Sequence, residues 1–229
     1  VAEHTGPMDG AANDLMRKLR GRDETLSGPF VVTAPQLLIA HFLAPALDQF
    51  CKAHPGVALK VRATNELLDL NRREADLALR ISRNPGDNLK GLRLSEQHTA
   101  GFATPAMAEQ LAADPSAPVD WLVYAQVPGL PKSVRQAFPN ARIRMEFDDM
   151  VAMIWAAQAG LGAVRAPMFL GRNVPGLVQI PHLDPQPYAD VWIVGHPDIW
   201  ASAKSMAFRE IMVRFFRAER AVFLADPPT

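Results

Sequence analysis

Residues 29–81, PFVVTAPQLLIAHFLAPALDQFCKAHPGVALKVRATNELLDLNRREADLALRI, decide the fold. The first five residues are a short β-branched and aromatic run. Ala34-Pro35 then opens a helix in which Ile39, Leu43, Ala46, Leu47 and Phe50 recur at helical spacing. Pro45 lies inside that helix and predicts a kink, or a helix in two pieces, because proline lacks the N–H and its ring crowds the preceding turn. His54-Pro55-Gly56 ends the helix, and Val57 to Val61 alternates as a strand does. A short helix is expected at about 65–73 and a strand at 75–81. Strand, helix, strand, helix, strand requires a parallel sheet with right-handed crossovers.

Upstream, residues 7–20 (PMDGAANDLMRKLR) read either as a short helix or as a frayed terminus, and GRDETLSG reads as a linker. Downstream, SRNPGDN is a loop, and residues 91–104 form one long extended segment. A helix follows at 105–113, then the turn-rich DPSAPVD and the strand WLVYA. RIRMEF (142–147) alternates, 148–160 is an apolar helix ending at Gly160, and LGAVRA (161–166) returns as a strand. Two further strands are expected at 176–180 and 190–196, and a closing helix at 203–220. The second half thus repeats the α/β alternation of the first, without a repeat in the letters.

The 229 residues are 48% hydrophobic, enough for a large core in one domain or two lobes. Twenty-four basic and 24 acidic side chains cancel, which gives no sign of a polyanion partner. The single cysteine, Cys51, excludes an internal disulfide framework and a cysteine-rich zinc site, and fits a reduced, cytoplasmic setting. The N-terminus lacks the basic start and apolar run of a secretory signal. The most apolar stretch, 30–47, is broken by Thr33, Pro35, Gln36, His41 and Pro45, so no membrane partner is expected.

The catalytic inventory is empty, and no enzyme is expected. The six histidines (4, 41, 54, 98, 182 and 196) have no ligand spacing, so no metal or other cofactor is expected. Gly160-Leu161-Gly162 follows a helix, whereas a phosphate cradle opens one, so it reads as a helix-to-strand turn. Asp148-Asp149 reads as a helix cap in preference to an acid–base pair. At Val31-Val32-Thr33-Ala34-Pro35 the free amides of a helix start, beside a threonine hydroxyl, suit an anion; an ordinary cap fits equally well.

Taken together, five segments in order resemble the effector-binding domain of LysR-type transcriptional regulators. They are LSG before FVVTAP, FLAPALDQFCKAHPGVALKV, LLDLNRREADLALRIS, GFATPAMAE, and DDMVAMIWAAQAGLGAVRAPMFL, and they lie within about residues 26–220. Two positions depart from the family pattern: Glu74-Ala75 before Asp76, and the arginine of Arg165-Ala166-Pro167.

The resemblance implies an α/β fold like type II periplasmic binding proteins, with two Rossmann-like lobes joined by two crossing strands near 98–104 and 190–197. Residues 1–27 would be the end of a linker helix and a linker. Lobe I would be 28–100 plus 197–221, lobe II 101–196, and 222–229 a tail. A small-molecule effector, anionic by preference, would sit between the lobes. By matching positions, its contacts would be Thr33, Ala34, Pro35 and Gln36, then Thr64 and Asn65, then Arg80 and Ile81. Thr104 would lie at the crossing, with Asp149, Met150, Arg165 and Ala166 on lobe II. Arg80 and Arg165 would each hold a carboxylate or pair with a nearby aspartate. The resemblance also implies a dimer, a tetramer in the full-length protein, and DNA contact only through an N-terminal winged helix-turn-helix outside this chain. Leu38, Phe42 and Gln49 are candidates for the dimer face. A solute-binding protein serving a transporter shares the fold and is the alternative.

Overall fold

The computed structural model describes residues 26–64, 75–84, 88–125 and 129–225. Strands β1 (Gly28–Ala34), β2 (Val57–Ala63) and β3 (Leu77–Ser82) lie parallel in the order β2-β1-β3, as the opening stretch requires. Asp76 ties β1 to β3: its carboxylate accepts the Val31 N–H at 2.7 Å, and its own N–H donates to the Val31 carbonyl at 2.8 Å. The helices expected at 7–20 and 65–73 lie outside the described residues.

Between β1 and β2 runs helix α1, an α-helical turn (Gln36–Leu38), a π-helical turn (Ile39–Leu43) and an α-helical segment (Ala44–Ala53). The two-piece helix follows from Pro45, which brings no N–H to the His41 carbonyl one turn back. That carbonyl instead accepts from Asn173 Nδ2 at 3.0 Å. Leu38 and Phe42 face inward and are buried, so neither lies on an outer face; Gln49 is exposed.

The long extended segment is two strands, β4 (Lys90–Ser95) and β5 (His98–Ala103), and they belong to different sheets. The first sheet runs β2-β1-β3-β11-β4, with β11 (Asp190–Gly195) antiparallel to both its neighbours. The second contains β5, β6 (Val119–Tyr124), β7 (Ala141–Phe147), β8 (Ala163–Pro167), and the short β9 (Val178–Gln179) and β10 (Gln186–Pro187). Here β7, β6 and β8 are parallel, and β5 runs antiparallel to β8. The chain therefore changes sheet at 96–97 and 188–189, a few residues ahead of the crossings expected near 98–104 and 190–197. β5 and β11 each lie wholly within one sheet.

Helices α2 (Pro105–Ala113), α3 (Lys132–Ala137), α4 (Met150–Gln158) and α5 (Met168–Asn173) accompany the second sheet. Helices α6 (Pro197–Trp200) and α7 (Ala203–Ala218) and a 3₁₀ turn (Arg220–Val222) follow β11. At the end of α4, Gly160 takes φ +78°, and β8 starts beside Gly162, where an added Cβ would stand 2.8 Å from the Asp120 carbonyl. The Gly-Leu-Gly is thus a helix-to-strand turn pressed on β6.

One core joins the two sheets. Phe30, Leu77 and Val191 of the first share it with Phe102, Leu122 and Val164 of the second. A second core, on the far face of the second sheet, holds Leu111, Trp121, Phe138 and Ile180. At the seam between the sheets Phe42 packs on Phe215, Phe216 and Phe223 at 4.8, 4.9 and 4.6 Å between ring centroids, and on Phe169 of α5 at 6.4 Å. Arg172 donates to the Ala221 carbonyl, and His98 binds the tail at both ends, donating its N–H to Phe223 and accepting the Ala225 N–H on Nδ1. Residues 221–225 are thereby built into the junction.

Candidate functional site

Parallel strands of an α/β sheet leave a crevice beyond their carboxyl ends, where following loops diverge. Strands of the second sheet end at such a crevice, and the first sheet reaches it just past the end of β3. β6 ends at Tyr124, β8 at Pro167, and β3 leads into Arg83. Together with Met150 and Met153 of α4 and Pro187 and Tyr188 at the crossing, they line a cavity of about 280 Å³. That lies just below the usual range for drug-sized ligands, about 300–1,000 Å³, and suits a small metabolite.

Arg165 supplies the charge. On β8 the side chains alternate, so Val164 and Ala166 enter the shared core while Arg165 and Pro167 turn to the cavity. β5 pairs antiparallel with β8, setting Thr99 opposite Pro167 and Gly101 opposite Arg165. Arg165 Nε donates to Thr99 Oγ1 at 3.0 Å, and a terminal guanidinium nitrogen donates to Ser133 Oγ at 3.1 Å. No carboxylate among the described residues pairs with it. Burial lowers its pKa from the free value, yet an arginine stays charged in any such setting. A half-buried cation steadied by two neutral hydroxyls keeps donors for an anion.

At the mouth, Tyr188 lies among Tyr124 and Arg83. Burial raises the Tyr188 phenol above its usual range, Tyr124 adds to the rise, and the Arg83 charge opposes it. The Tyr188 N–H donates to the Gln97 carbonyl at 2.8 Å, joining the two crossings, and Trp192 Nε1 donates to the Ser82 carbonyl at 3.1 Å, fixing the end of β3 beside Arg83.

Of the expected contacts, this cavity brings together Met150 and Arg165. Ala166 is 1% exposed on the opposite face of β8, a consequence of two-residue alternation. Thr33 and Ala34 are buried in β1, Pro35 caps α1 and Gln36 is exposed; the Thr64 N–H donates to the Ala34 carbonyl at 3.0 Å. Asn65 lies outside the described residues. Arg80, its pKa lowered by burial, and Ile81 stand opposite Trp192 and Val191 within the first sheet. Thr104 begins α2, and Asp149 caps α4 by accepting the Ala152 N–H at 2.8 Å, the capping role expected of it. Thr99, Ser133, Tyr124 and Tyr188 were beyond sequence reasoning. The one signal for Thr99 was a hydroxyl at the start of an extended run that antiparallel pairing sets beside Arg165.

Two α/β lobes, with a cavity at the strand ends of the second that Arg83 of the first also lines, define a two-lobed ligand-binding domain. The chain belongs to the LysR substrate binding domain family, whose model matches residues 23–217. It is 27% identical over 184 residues to the HTH-type transcriptional regulator TrpI of Pseudomonas aeruginosa, covering 71% of this chain and 60% of that protein. It is 24% identical over 200 residues to the Mau operon transcriptional activator of Paracoccus denitrificans, covering 84% of this chain and 66% of that one. The chain thus spans about two thirds or less of the length of these relatives. In fold it is similar to the effector domain of the transcriptional regulator AmpR of Pseudomonas aeruginosa, with TM-score 0.69, 21% identity and coverage of 84% and 98%. It is similar too to CrgA, a LysR-type transcriptional regulator from Neisseria meningitidis, with TM-score 0.70, 16% identity and coverage of 92% and 76%. The chain is a ligand-binding domain of the LysR type, and its relatives are transcription regulators, which disfavours the transporter alternative. Among the described residues no helix is long and apolar enough to cross a membrane, and no group of His, Cys, Asp or Glu is arranged to hold a metal ion.

Proposed function

We propose that this domain senses a small anionic metabolite in the cavity between its lobes and passes the change to a DNA-binding domain of the same regulator. The observation that carries the reading is Arg165: a half-buried guanidinium, held by Thr99 and Ser133, on a cavity that also takes Arg83 from the first lobe. A ligand with different affinities for two lobe arrangements shifts their populations by that difference. We take residues 28–95 plus 190–221 as lobe I and 98–187 as lobe II, following the sheets. The regulator works in the cytoplasm as a dimer or tetramer, and the domain binds its effector without transforming it.

A thermal-shift screen of the purified chain against small carboxylates, aromatic acids and amino acids tests this. Ligand at about one hundred times its dissociation constant adds about 2.7 kcal/mol of stability, a rise of several degrees at this size. A carboxylate hit lost in Arg165→Met supports the site. A hit indifferent to Arg165 but lost in Thr33→Val moves the site to the start of α1. A panel of neutral hits alone overturns the anionic reading.

A further inference from the structure

The two crossings form one antiparallel ribbon. In the second sheet β10 pairs with β5, Gln186 opposite Thr99 and Pro187 opposite His98. Tyr188 continues that ladder by donating its N–H to the Gln97 carbonyl at 2.8 Å. In the first sheet β11 pairs with β4, and Val191 stands opposite Ser95. Between the two ladders Glu96 alone, on one strand, faces Ala189 and Asp190 on the other. The second crossing thus carries one extra residue, a bulge where the ribbon passes from lobe to lobe. The register recovers past Leu94, where Trp192 stands opposite Arg93. A bulge leaves backbone groups outside the ladder and concentrates bend and twist.

Gln97 closes that gap. It is 1% exposed, and its Nε2 donates to the Ala189 carbonyl, in the bulge, at 2.9 Å. Among the described residues Oε1 has no hydrogen-bond partner, so the amide holds through Nε2 alone. Outside, Arg93 spans the same step, 3.4 Å from Glu96 and 3.3 Å from Asp190. Arg93 is half exposed, so salt weakens its pairs, whereas the buried amide bond is shielded. The cavity touches this arrangement through Tyr188, which lines it and directly precedes Ala189.

We infer that Gln97 is a positioning residue that sets the angle between the lobes: its amide latches the bulge, and the lobes turn on each other when that one hydrogen bond opens. A ligand that moves Tyr188 works one residue from the latched carbonyl. Gln97 keeps this role whatever the cavity binds.

Double electron–electron resonance on the purified chain tests it through the interlobe distance. One spin label goes on Cys51, exposed on α1 of lobe I, and the other on Glu109→Cys, at an exposed position on α2 of lobe II. Labelled chains are diluted with unlabelled ones, so that the distance read lies within one chain. The parent should give one narrow distribution, unchanged by salt at about 0.5 M. Gln97→Met keeps the side-chain length and removes the donor, and its distribution should be at least about twofold broader. High salt should broaden it again, because Arg93 then no longer clasps the step. Gln97→Glu also lacks the donor and should behave alike, so a folding failure in one variant leaves the other to decide. Leu111→Ala opens the far core of lobe II away from the ribbon and should leave the distribution narrow. Gln97 variants as narrow as the parent overturn the latch. So does a Leu111→Ala protein as broad as they are, since general loosening then explains both.

Discussion

Arg165 and Thr99 meet across antiparallel strands at 3.0 Å, Nε to Oγ1, two residues off direct opposition and so on the same face. The contact orients the guanidinium without spending its charge. Thr99→Val removes the acceptor while keeping the β-branched shape, and Arg165 retains Ser133 alone. The expected cost is about 1 kcal/mol of stability, read by urea unfolding, together with a several-fold loss of affinity for a carboxylate found in the thermal-shift screen. A Thr99→Ser protein should behave as the parent. Unchanged affinity in Thr99→Val would mean that Ser133 suffices to position the arginine.

Phe223 closes the seam. Its ring stands 4.6 Å from Phe42 and 5.4 Å from Phe216, and it has no exposed surface. Truncation empties the space where α1, α5 and α7 converge, and Phe223→Ala should lower stability by about 3–5 kcal/mol. Phe223→Leu should cost less than half of that. Denaturant midpoints measure both. A loss below 1 kcal/mol in the alanine variant would mean that the last residues pack loosely on the lobes.

How far the sequence reaches differs between the two lobes. Local periodicity was enough for α1, β1 and β2, because each is set by its own apolar spacing, and Pro45 announced the break in α1. It was not enough for residues 90–103, where Glu96-Gln97 divide two strands of different sheets without a glycine or proline to mark the step. The short helices α3 and α5 lack the turns of periodicity that would reveal them. For the site, Arg165 and Met150 came from the family resemblance by matching positions, not from local pattern. Thr99, Ser133 and Tyr188 come from three distant segments, a strand, a helix and a crossing, and meet only in the tertiary fold.

Asn173 and Pro45 are coupled through one carbonyl. His41 O accepts from Asn173 because Pro45 cannot donate to it. Asn173→Ala alone should cost about 1 kcal/mol. In a Pro45→Ala background the new N–H reaches back to His41, and the same substitution should then cost about half as much or less. A double-mutant cycle gives the coupling energy directly. Strict additivity would show that the carbonyl is satisfied some other way.

Gly171 has no room for a side chain. A Cβ there would stand 2.0 Å from the Phe102 ring, which is buried between α5 and β5. Gly171→Ala forces a shift of that ring inside a packed core, and should destabilise by about 1–3 kcal/mol despite alanine's better helix propensity. Paired with Phe102→Leu, which opens the space, the cost should shrink. Thermal unfolding of the four proteins checks the compensation.

His41 gives the seam a pH dependence. Burial in the π-helical turn lowers its pKa below 6.5, so the folded state holds the neutral ring more firmly than the unfolded chain does. As pH falls through about 6.5 the unfolded chain takes up the proton first. Stability attributable to His41 is therefore present above that pH, declines as pH drops through the window between the two pKa values, and levels off below the folded one. Urea unfolding from pH 8 to pH 5 should show the decline, and His41→Gln should flatten that part of the curve without changing the limb above pH 7. A variant whose profile matches the parent throughout would assign the acid sensitivity to other groups, and would mean that the ring reaches water more freely than its partial burial implies.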